Sequence, residues 1–146
     1  MSLLNGKKAL VLGVANDKSI AWGITKALKA QGASVALSYL NDQLKKRVVP
    51  LAEEVGADFI VEMDVTNNNH YNELRKTIVE KWGTFDVLVH SLAFANKDDL
   101  QNPFSQTSRD GFLMAMDISA FSLVGLCNHL KDLINPGGSV MAMTYH

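Results

Sequence analysis

The sequence has one cysteine, few prolines and almost no net charge. The single cysteine, Cys127, excludes an internal disulfide framework and favours a reducing compartment. The 14 basic and 15 acidic residues give a formal net charge of −1, so no overall field attracts nucleic acid or an anionic membrane. No apolar run approaches the roughly 20 residues of a membrane span, and the N-terminus lacks the apolar stretch of a signal peptide. We therefore expect a cytoplasmic protein that binds neither nucleic acid nor membrane.

What the chain has is an alternation of apolar runs with amphipathic stretches. Its 146 residues, 47% of them apolar, are enough for one domain with a buried core. Short apolar runs predict five strands, at residues 8–14, 33–39, 58–65, 85–93 and 139–145. Helical periodicity predicts four intervening helices, the last from Arg109 to about Leu133. Pro50 is expected to kink or divide the second helix.

This alternation predicts an α/β fold with a parallel sheet. Strand–helix–strand units make right-handed crossovers, and the expected strand order is 3-2-1-4-5, a Rossmann-type doubly wound sheet. Ligands of such sheets bind at the carboxyl ends of the strands. The candidate site is therefore formed by residues 13–20, 38–41, 64–65 and 91–95. No group of residues has the spacing of a zinc site, so no metal is expected.

The turn after the first strand resembles a stretched phosphate-binding turn. It reads GVANDKSIAWG and lacks the G-x-G-x-x-G pattern. Gly13 would let a pyrophosphate approach the backbone, and Ser19 would cap a helix whose first N–H groups and dipole favour an anion. Gly23 would allow close packing of that helix on the sheet. The alternative is an ordinary strand–loop–helix connection with a capped helix.

The ends of the second and third strands concern the adenosine half of a dinucleotide. Leu40 occupies the expected adenosine-facing place. Asn41 or Asp42 can cap the next helix, and Asp42 is better explained as such a cap than as a ribose contact. Residues 38–41 contain no Arg that would bind a 2′-phosphate, which favours NADH over NADPH. Asp64 can accept a hydrogen bond from the adenine amino group with Val65 beside the ring, or it can cap the next helix.

The fourth strand ends in small residues. Ser91, Ala93 and Ala95 are expected where a nicotinamide ribose would lie. His90 is better explained as a packed strand residue than as a catalytic one. The loop that follows, residues 94–108, is unusually long, which suggests a function.

Several motifs together resemble one enzyme family. They are GVANDKSIAWGI, SYLNDQLKKRV, DVT, VHSLAFA, RDGF, MDISAFS and INPGGS, and they occur in this order along the whole chain. The combination is similar to the enoyl-acyl-carrier-protein reductases of bacterial fatty acid synthesis, the FabI type. These form a divergent branch of the short-chain dehydrogenase/reductase family.

The resemblance implies a reaction and a set of roles. In this family NADH, or NADPH in some members, delivers hydride to the β-carbon of a trans-2-enoyl thioester carried by acyl carrier protein. Pocket tyrosines stabilise the resulting enolate or help to supply a proton. Tyr145 would be the first of two such tyrosines, Ala95 would contact the acyl substrate, and a homotetramer is implied. The implied cofactor contacts are Gly13, Ser19, Ile20, Leu40, Asp64, Val65, Ser91, Leu92 and Ala93.

The chain departs from the family pattern in three places. Leu40 stands where Gln is frequent, and Ala93 stands where Gly is frequent, so nucleotide and inhibitor fit can differ. The family continues beyond the first tyrosine to a second tyrosine, a lysine, two more strands and a substrate-binding helix. We therefore expect residues 1–146 to be the NAD(H)-binding N-terminal half of a longer enzyme, inactive alone. The alternatives are a ketone or alcohol reductase of the wider family and a non-catalytic nucleotide-binding module.

Overall fold

A computed structural model describes residues 2–144 of the chain. The strands are β1 (Lys8–Leu12), β2 (Ser34–Tyr39), β3 (Phe59–Glu62), β4 (Phe85–His90) and β5 (Ile134–Ala142). The α-helices are α1 (Ile20–Ala30), α2 (Asp42–Val55), α3 (Asn68–Lys81), α4 (Lys97–Gln101), α5 (Arg109–Met116) and α6 (Ser122–Leu130). A π-helical segment, Asp117–Phe121, joins α5 to α6 and is called the wide turn below. Short 3₁₀ turns lie at Phe104–Gln106 and Lys131–Leu133.

The five strands form one parallel sheet in the order β3-β2-β1-β4-β5, which confirms the predicted fold class and strand order. Alternate residues of each strand point to opposite faces, so the sheet separates two cores. Leu10 and Leu88 belong to the core covered by α3 and α6. Val11 and Val89 belong to the core covered by α1 and α2.

The observed elements correct several predicted boundaries. Helix α2 runs unbroken through Pro50, which lies on its exposed side where water can satisfy the carbonyl group that proline leaves unpaired. Strands β1, β3 and β4 end two or more residues earlier than predicted, and β5 begins at Ile134 instead of Ser139. The earlier start of β5 includes a register irregularity opposite Phe85 and Val87. The long loop after β4 contains α4 and a 3₁₀ turn.

The predicted last helix is continuous over 25 residues, Arg109–Leu133, and contains the wide turn. Its mean hydropathy reaches 1.5, and 22% of that apolar window is buried. By length and composition alone this helix could cross a membrane, so the expectation that no apolar run reaches that length is wrong. A single helix of this kind is weak evidence for a membrane span.

Asp86 joins the amino-terminal ends of three neighbouring strands. Its carboxylate accepts hydrogen bonds from the Lys8 backbone N–H at 2.9 Å and from Asn135 Nδ2 at 3.1 Å, and Lys7 Nζ lies 3.6 Å away. Burial acts to raise the pKa of Asp86, but these donors outweigh it and lower the pKa below its ordinary value. The charged carboxylate therefore fixes β1, β4 and β5 relative to one another.

Helices α3 and α6 approach closely at Gly125. A Cβ at this position would stand 2.9 Å from the ring of Tyr71. That tyrosine is buried, donates its hydroxyl hydrogen to the Val65 carbonyl at 2.9 Å and stacks on His129. Burial raises the pKa of Tyr71, and the charges of Asp117 and Asp64 raise it further. Glycine at 125 thus lets the Tyr71 ring reach the end of β3.

We predict that Gly125→Ala lowers the free energy of unfolding by about 1–2 kcal/mol, since steric strain outweighs the gain in helix propensity. Gly23→Ala is the matched control, because a Cβ on exposed Gly23 in α1 meets no atom within 4 Å. The control should raise stability by about 0.5–1 kcal/mol. Urea denaturation measures both variants, and a stabilised Gly125→Ala protein would contradict the packing described here.

Candidate cofactor-binding site

A cleft lies at the carboxyl ends of the strands, beside the switch point between β1 and β4. Its volume is ≈ 240 Å³. It is lined by residues 13–15, 38–40, 44, 63–65, 91–94 and 118. Seven of the candidate cofactor contacts fall in this lining: Gly13, Leu40, Asp64, Val65, Ser91, Leu92 and Ala93. The sheet topology brings these distant positions together, as expected for a doubly wound sheet.

Gly13 marks the contact between the ends of β1 and β4. Its φ is +107°, and a Cβ there would overlap the carbonyl oxygen of Ser91. The atoms that such a Cβ would meet belong to the protein and not to a ligand. The contact between the two strand ends is therefore enough to require glycine at this position. This differs from the expectation that Gly13 is needed chiefly for pyrophosphate approach. The absence of a side chain also leaves the cleft open at the turn.

Ser19 organises the loop between β1 and α1 from inside. Its Oγ accepts hydrogen bonds from the N–H groups of Ala15 at 3.0 Å and Asn16 at 3.1 Å. Ser19 occupies the N-cap position with extended backbone, but its side chain does not bond the helix, which corrects the predicted capping role. Within residues 2–144 the N–H groups of Ile20 and Ala21 have no acceptor. These N–H groups are the donors that an anion at the start of α1 would use.

Gly23 does not pack on the sheet. It is exposed, and Ala21, Trp22 and Thr25 form the buried face of α1 instead. The predicted packing role of Gly23 is therefore wrong.

The end of β2 carries Leu40 and the cap of α2. Leu40 is 45% exposed and forms part of the cleft wall. Asn41 Oδ1 accepts a hydrogen bond from the Leu44 N–H at 3.0 Å, so Asn41 is the helix cap. Asp42, expected to cap, is the first residue of α2, where its charge suits the helix dipole.

The end of β3 offers one carboxylate oxygen to the cleft. Asp64 Oδ1 accepts hydrogen bonds from the N–H of Thr66 at 2.9 Å and its hydroxyl at 2.7 Å. Asp64 does not cap α3, because Asn67 holds that position and accepts from the Asn69 N–H. Asp64 Oδ2 has no hydrogen-bond donor among the described side chains and backbone groups. It remains available to a ligand in the cleft.

The end of β4 separates the cleft from a second cavity. Ser91, Leu92 and Ala93 line both, and the second cavity of ≈ 160 Å³ is completed by Ile20, Met143 and Thr144. Ile20 is 65% exposed and lines the second cavity, not the cleft. Ala95 is half-buried and lines neither cavity. Tyr145, the expected catalytic residue, lies outside the described residues.

His90 precedes this segment and is only 2% exposed. Its Nε2 lies 2.7 Å from Ser122 Oγ, and burial lowers the pKa of the imidazole. The prediction that His90 is a packed strand residue is therefore confirmed. Residues 2–144 contain no group of three His, Cys, Asp or Glu side chains able to hold a metal ion.

Three lining residues were absent from the sequence-based list: Leu44, Met63 and Ile118. Leu44 and Met63 adjoin predicted segments, and slightly wider segments would have included them. Ile118 lies in the wide turn, which no feature of the helical periodicity indicates.

A sequence model described as enoyl-(acyl carrier protein) reductase matches residues 13–146. The chain belongs to this family. The resemblance drawn from the motifs is thereby confirmed, and its features can be compared with individual members.

Family members of known sequence and structure resemble the chain over nearly all of its length. The enoyl-[acyl-carrier-protein] reductase [NADH] 1 of Rhizobium meliloti is 44% identical over 144 residues, 99% of this chain and 53% of that protein. The crystal structure of the reductase from Anaplasma phagocytophilum with NAD is 43% identical, with a TM-score of 0.94, over 98% of this chain and 55% of that one. The Bacillus cereus enzyme, with NADP+ and an indole naphthyridinone, is 41% identical, with a TM-score of 0.95, over 99% and 57%. The chain spans about half the length of the relatives it matches.

We predict that Ser19→Ala loosens the loop between β1 and α1. The N–H groups of Ala15 and Asn16 lose their acceptor, which should cost about 1 kcal/mol and speed hydrogen exchange at both amides. Ser19→Thr keeps the hydroxyl and should retain slow exchange, and exposed Ser105→Ala is the control for loss of a serine elsewhere. Unchanged exchange at Ala15 and Asn16 in Ser19→Ala would contradict the loop geometry.

Proposed function

We propose that residues 1–146 form the NADH-binding half of an enoyl-acyl-carrier-protein reductase of type II fatty acid biosynthesis. The observation that carries the proposal is the cleft, in which seven of the nine candidate cofactor contacts meet. Family membership supports the reaction, because the relatives named above are NADH-dependent enoyl-acyl-carrier-protein reductases or contain NAD or NADP+.

Polar groups in the cleft and at the start of α1 would suit a dinucleotide. Asp64 Oδ2 would accept the adenine amino group, with Val65 and Leu40 beside the base. The free N–H groups of Ile20 and Ala21 would bind the pyrophosphate. Ser91, Leu92 and Ala93 would contact the nicotinamide half, because they border the second cavity.

NADH, when bound, supplies the hydride that reduces the β-carbon of the enoyl thioester. The chain's own residues would bind and orient the cofactor, and Leu92 and Ile118 would give it apolar contacts in the cleft. Tyr145 would stabilise the enolate, and Ala95 would contact the acyl chain. The enzyme would act on enoyl thioesters of acyl carrier protein, in the cytoplasm, as a homotetramer.

We predict that Asp64→Asn weakens NADH binding roughly threefold to tenfold, because an amide NH₂ replaces the oxygen that faces the adenine amino group. The asparagine oxygen can still accept from Thr66, so the local turn should persist. AMP binding should weaken by the same factor, since the lost contact is to adenine. Fluorescence titration measures the affinity for NADH, and competition against NADH measures the affinity for AMP. Asp98→Asn, an exposed acid on α4 outside the cleft, is the control, and equal NADH affinity in both variants would refute the contact.

We predict that the complete gene product reduces crotonyl thioesters with NADH, whereas residues 1–146 alone bind NADH without turnover. Loss of NADH absorbance measures the reaction. Binding without reduction by the complete product would favour a non-catalytic nucleotide-binding module, and reduction of ketones instead would favour the wider reductase family. Turnover by residues 1–146 alone would refute the assignment of this chain as the binding half.

A further inference from the structure

We infer that Ser119 and Ser122, with His90, are positioning residues that hold the wall between the two cavities in place for the nicotinamide half of the cofactor. The two serines and their partners, His90 and Phe94, are called the serine clamp below. The inference deepens the proposed function and rests on it. It assigns a task to the wide turn, which the sequence did not predict.

The wall consists of residues 91–93, the segment shared by both cavities. It lies beyond the last residue of β4 and before the start of α4. Only its first residue continues the sheet, where the Ser91 N–H donates to the Leu12 carbonyl at 3.1 Å. Leu92 and Ala93 thus extend beyond the strand pairing, and their placement depends on what holds the two ends of the segment.

Both ends are held by one stretch of helix. Before the wall, His90 Nε2 lies 2.7 Å from Ser122 Oγ. After the wall, the Phe94 N–H donates to Ser119 Oγ at 3.0 Å, and the Ser119 hydroxyl reaches the Phe94 carbonyl at 3.2 Å. Ser119 therefore satisfies both backbone groups of a residue that belongs to no strand or helix.

The direction of the His90 contact follows from the serine. The Ser122 hydroxyl donates its only hydrogen to the Ile118 carbonyl at 2.7 Å, so its oxygen must accept from His90 Nε2–H. Nε2 therefore carries a proton, and Nδ1 is buried without a partner among the described residues. Burial of the ring lowers the pKa of His90 below its ordinary value.

The wide turn carries two residues that face this part of the site. The backbone N–H at its end donates to the Asp117 carbonyl, one residue further back than in an α-helix. The Ile118 carbonyl accepts the Ser122 hydroxyl. Ile118 itself lines the cleft, and the adjacent Ser119 bonds Phe94. The wide turn therefore supplies both a lining residue of the cleft and a residue that holds the end of the wall.

The inference is tested by comparing NADH with ADP-ribose, which has the adenosine, pyrophosphate and second ribose but no nicotinamide. In the complete gene product, Ser119→Ala should lower NADH affinity about tenfold and leave ADP-ribose affinity within about twofold. Hydrogen exchange of the Phe94 amide should accelerate without any ligand. Ser119→Thr, which keeps the hydroxyl, should restore both properties.

Two further variants and one control complete the experiment. His90→Gln places an amide donor near the position of Nε2 and should keep most of the NADH affinity, whereas His90→Phe should not. Ser122→Ala should lower NADH affinity selectively, as Ser119→Ala does. If the Ser122 variant does not fold, the test rests on the variants of Ser119, which is partly exposed. The control is Thr77→Val, which removes a hydroxyl that bonds the Glu73 carbonyl of its own helix and lines neither cavity.

The outcomes separate the inference from the proposed function. Selective loss of NADH affinity supports the clamp. A parallel fall in both affinities and in melting temperature would show a merely structural role and overturn it. Unchanged NADH affinity with faster Phe94 exchange would also overturn it while leaving the proposed function intact. If the unaltered protein binds neither NADH nor ADP-ribose, the proposed function fails first and the inference fails with it.

Discussion

The site depends on the close approach of two strand ends. The Ser91 carbonyl occupies the space that any Cβ at residue 13 would need, and the backbone at Gly13 has a φ that other residues rarely adopt. Because β1 and β4 flank the switch point of the sheet, this contact fixes the distance between the loop that follows β1 and the wall that follows β4. The cleft lies beyond that contact, at the carboxyl ends of the strands.

Each side of the contact is held by serine hydroxyls. On one side, Ser19 takes up two loop N–H groups and thereby leaves the first N–H groups of α1 free for an anion. On the other side, Ser122 contacts the His90 ring before residues 91–93, and Ser119 bonds both backbone groups of Phe94 after them. In both places a short side chain satisfies polar groups of an irregular segment that no sheet or helix could satisfy.

The sequence predicted the sheet order and most of the cleft because both follow from simple patterns. Apolar runs mark the strands, and parallel topology then brings their carboxyl ends to one edge. The features that the sequence could not predict depend on contacts formed only in the folded protein. Ser19 at an N-cap position could equally bond the helix or the loop, and only the folded loop decides between them. Whether Pro50 breaks α2 likewise depends on which side of the helix is exposed. The wide turn at Ile118 depends on the residues that face it.

The described residues separate binding from proton transfer. The cavity assigned to the nicotinamide half is lined, within residues 2–144, by Ile20, Ser91, Leu92, Ala93, Met143 and Thr144, none of which is an acid or base near neutral pH. His90, which precedes this segment, is buried with its Nε2 2.7 Å from Ser122 Oγ, and burial lowers the pKa of its imidazole. Asp64 lies in the cleft, where the proposed binding mode puts the adenine. In the proposed reaction the group that protonates the enolate must therefore come from outside these residues. The resemblance assigns that place first to Tyr145, the residue that follows Thr144 in the sequence.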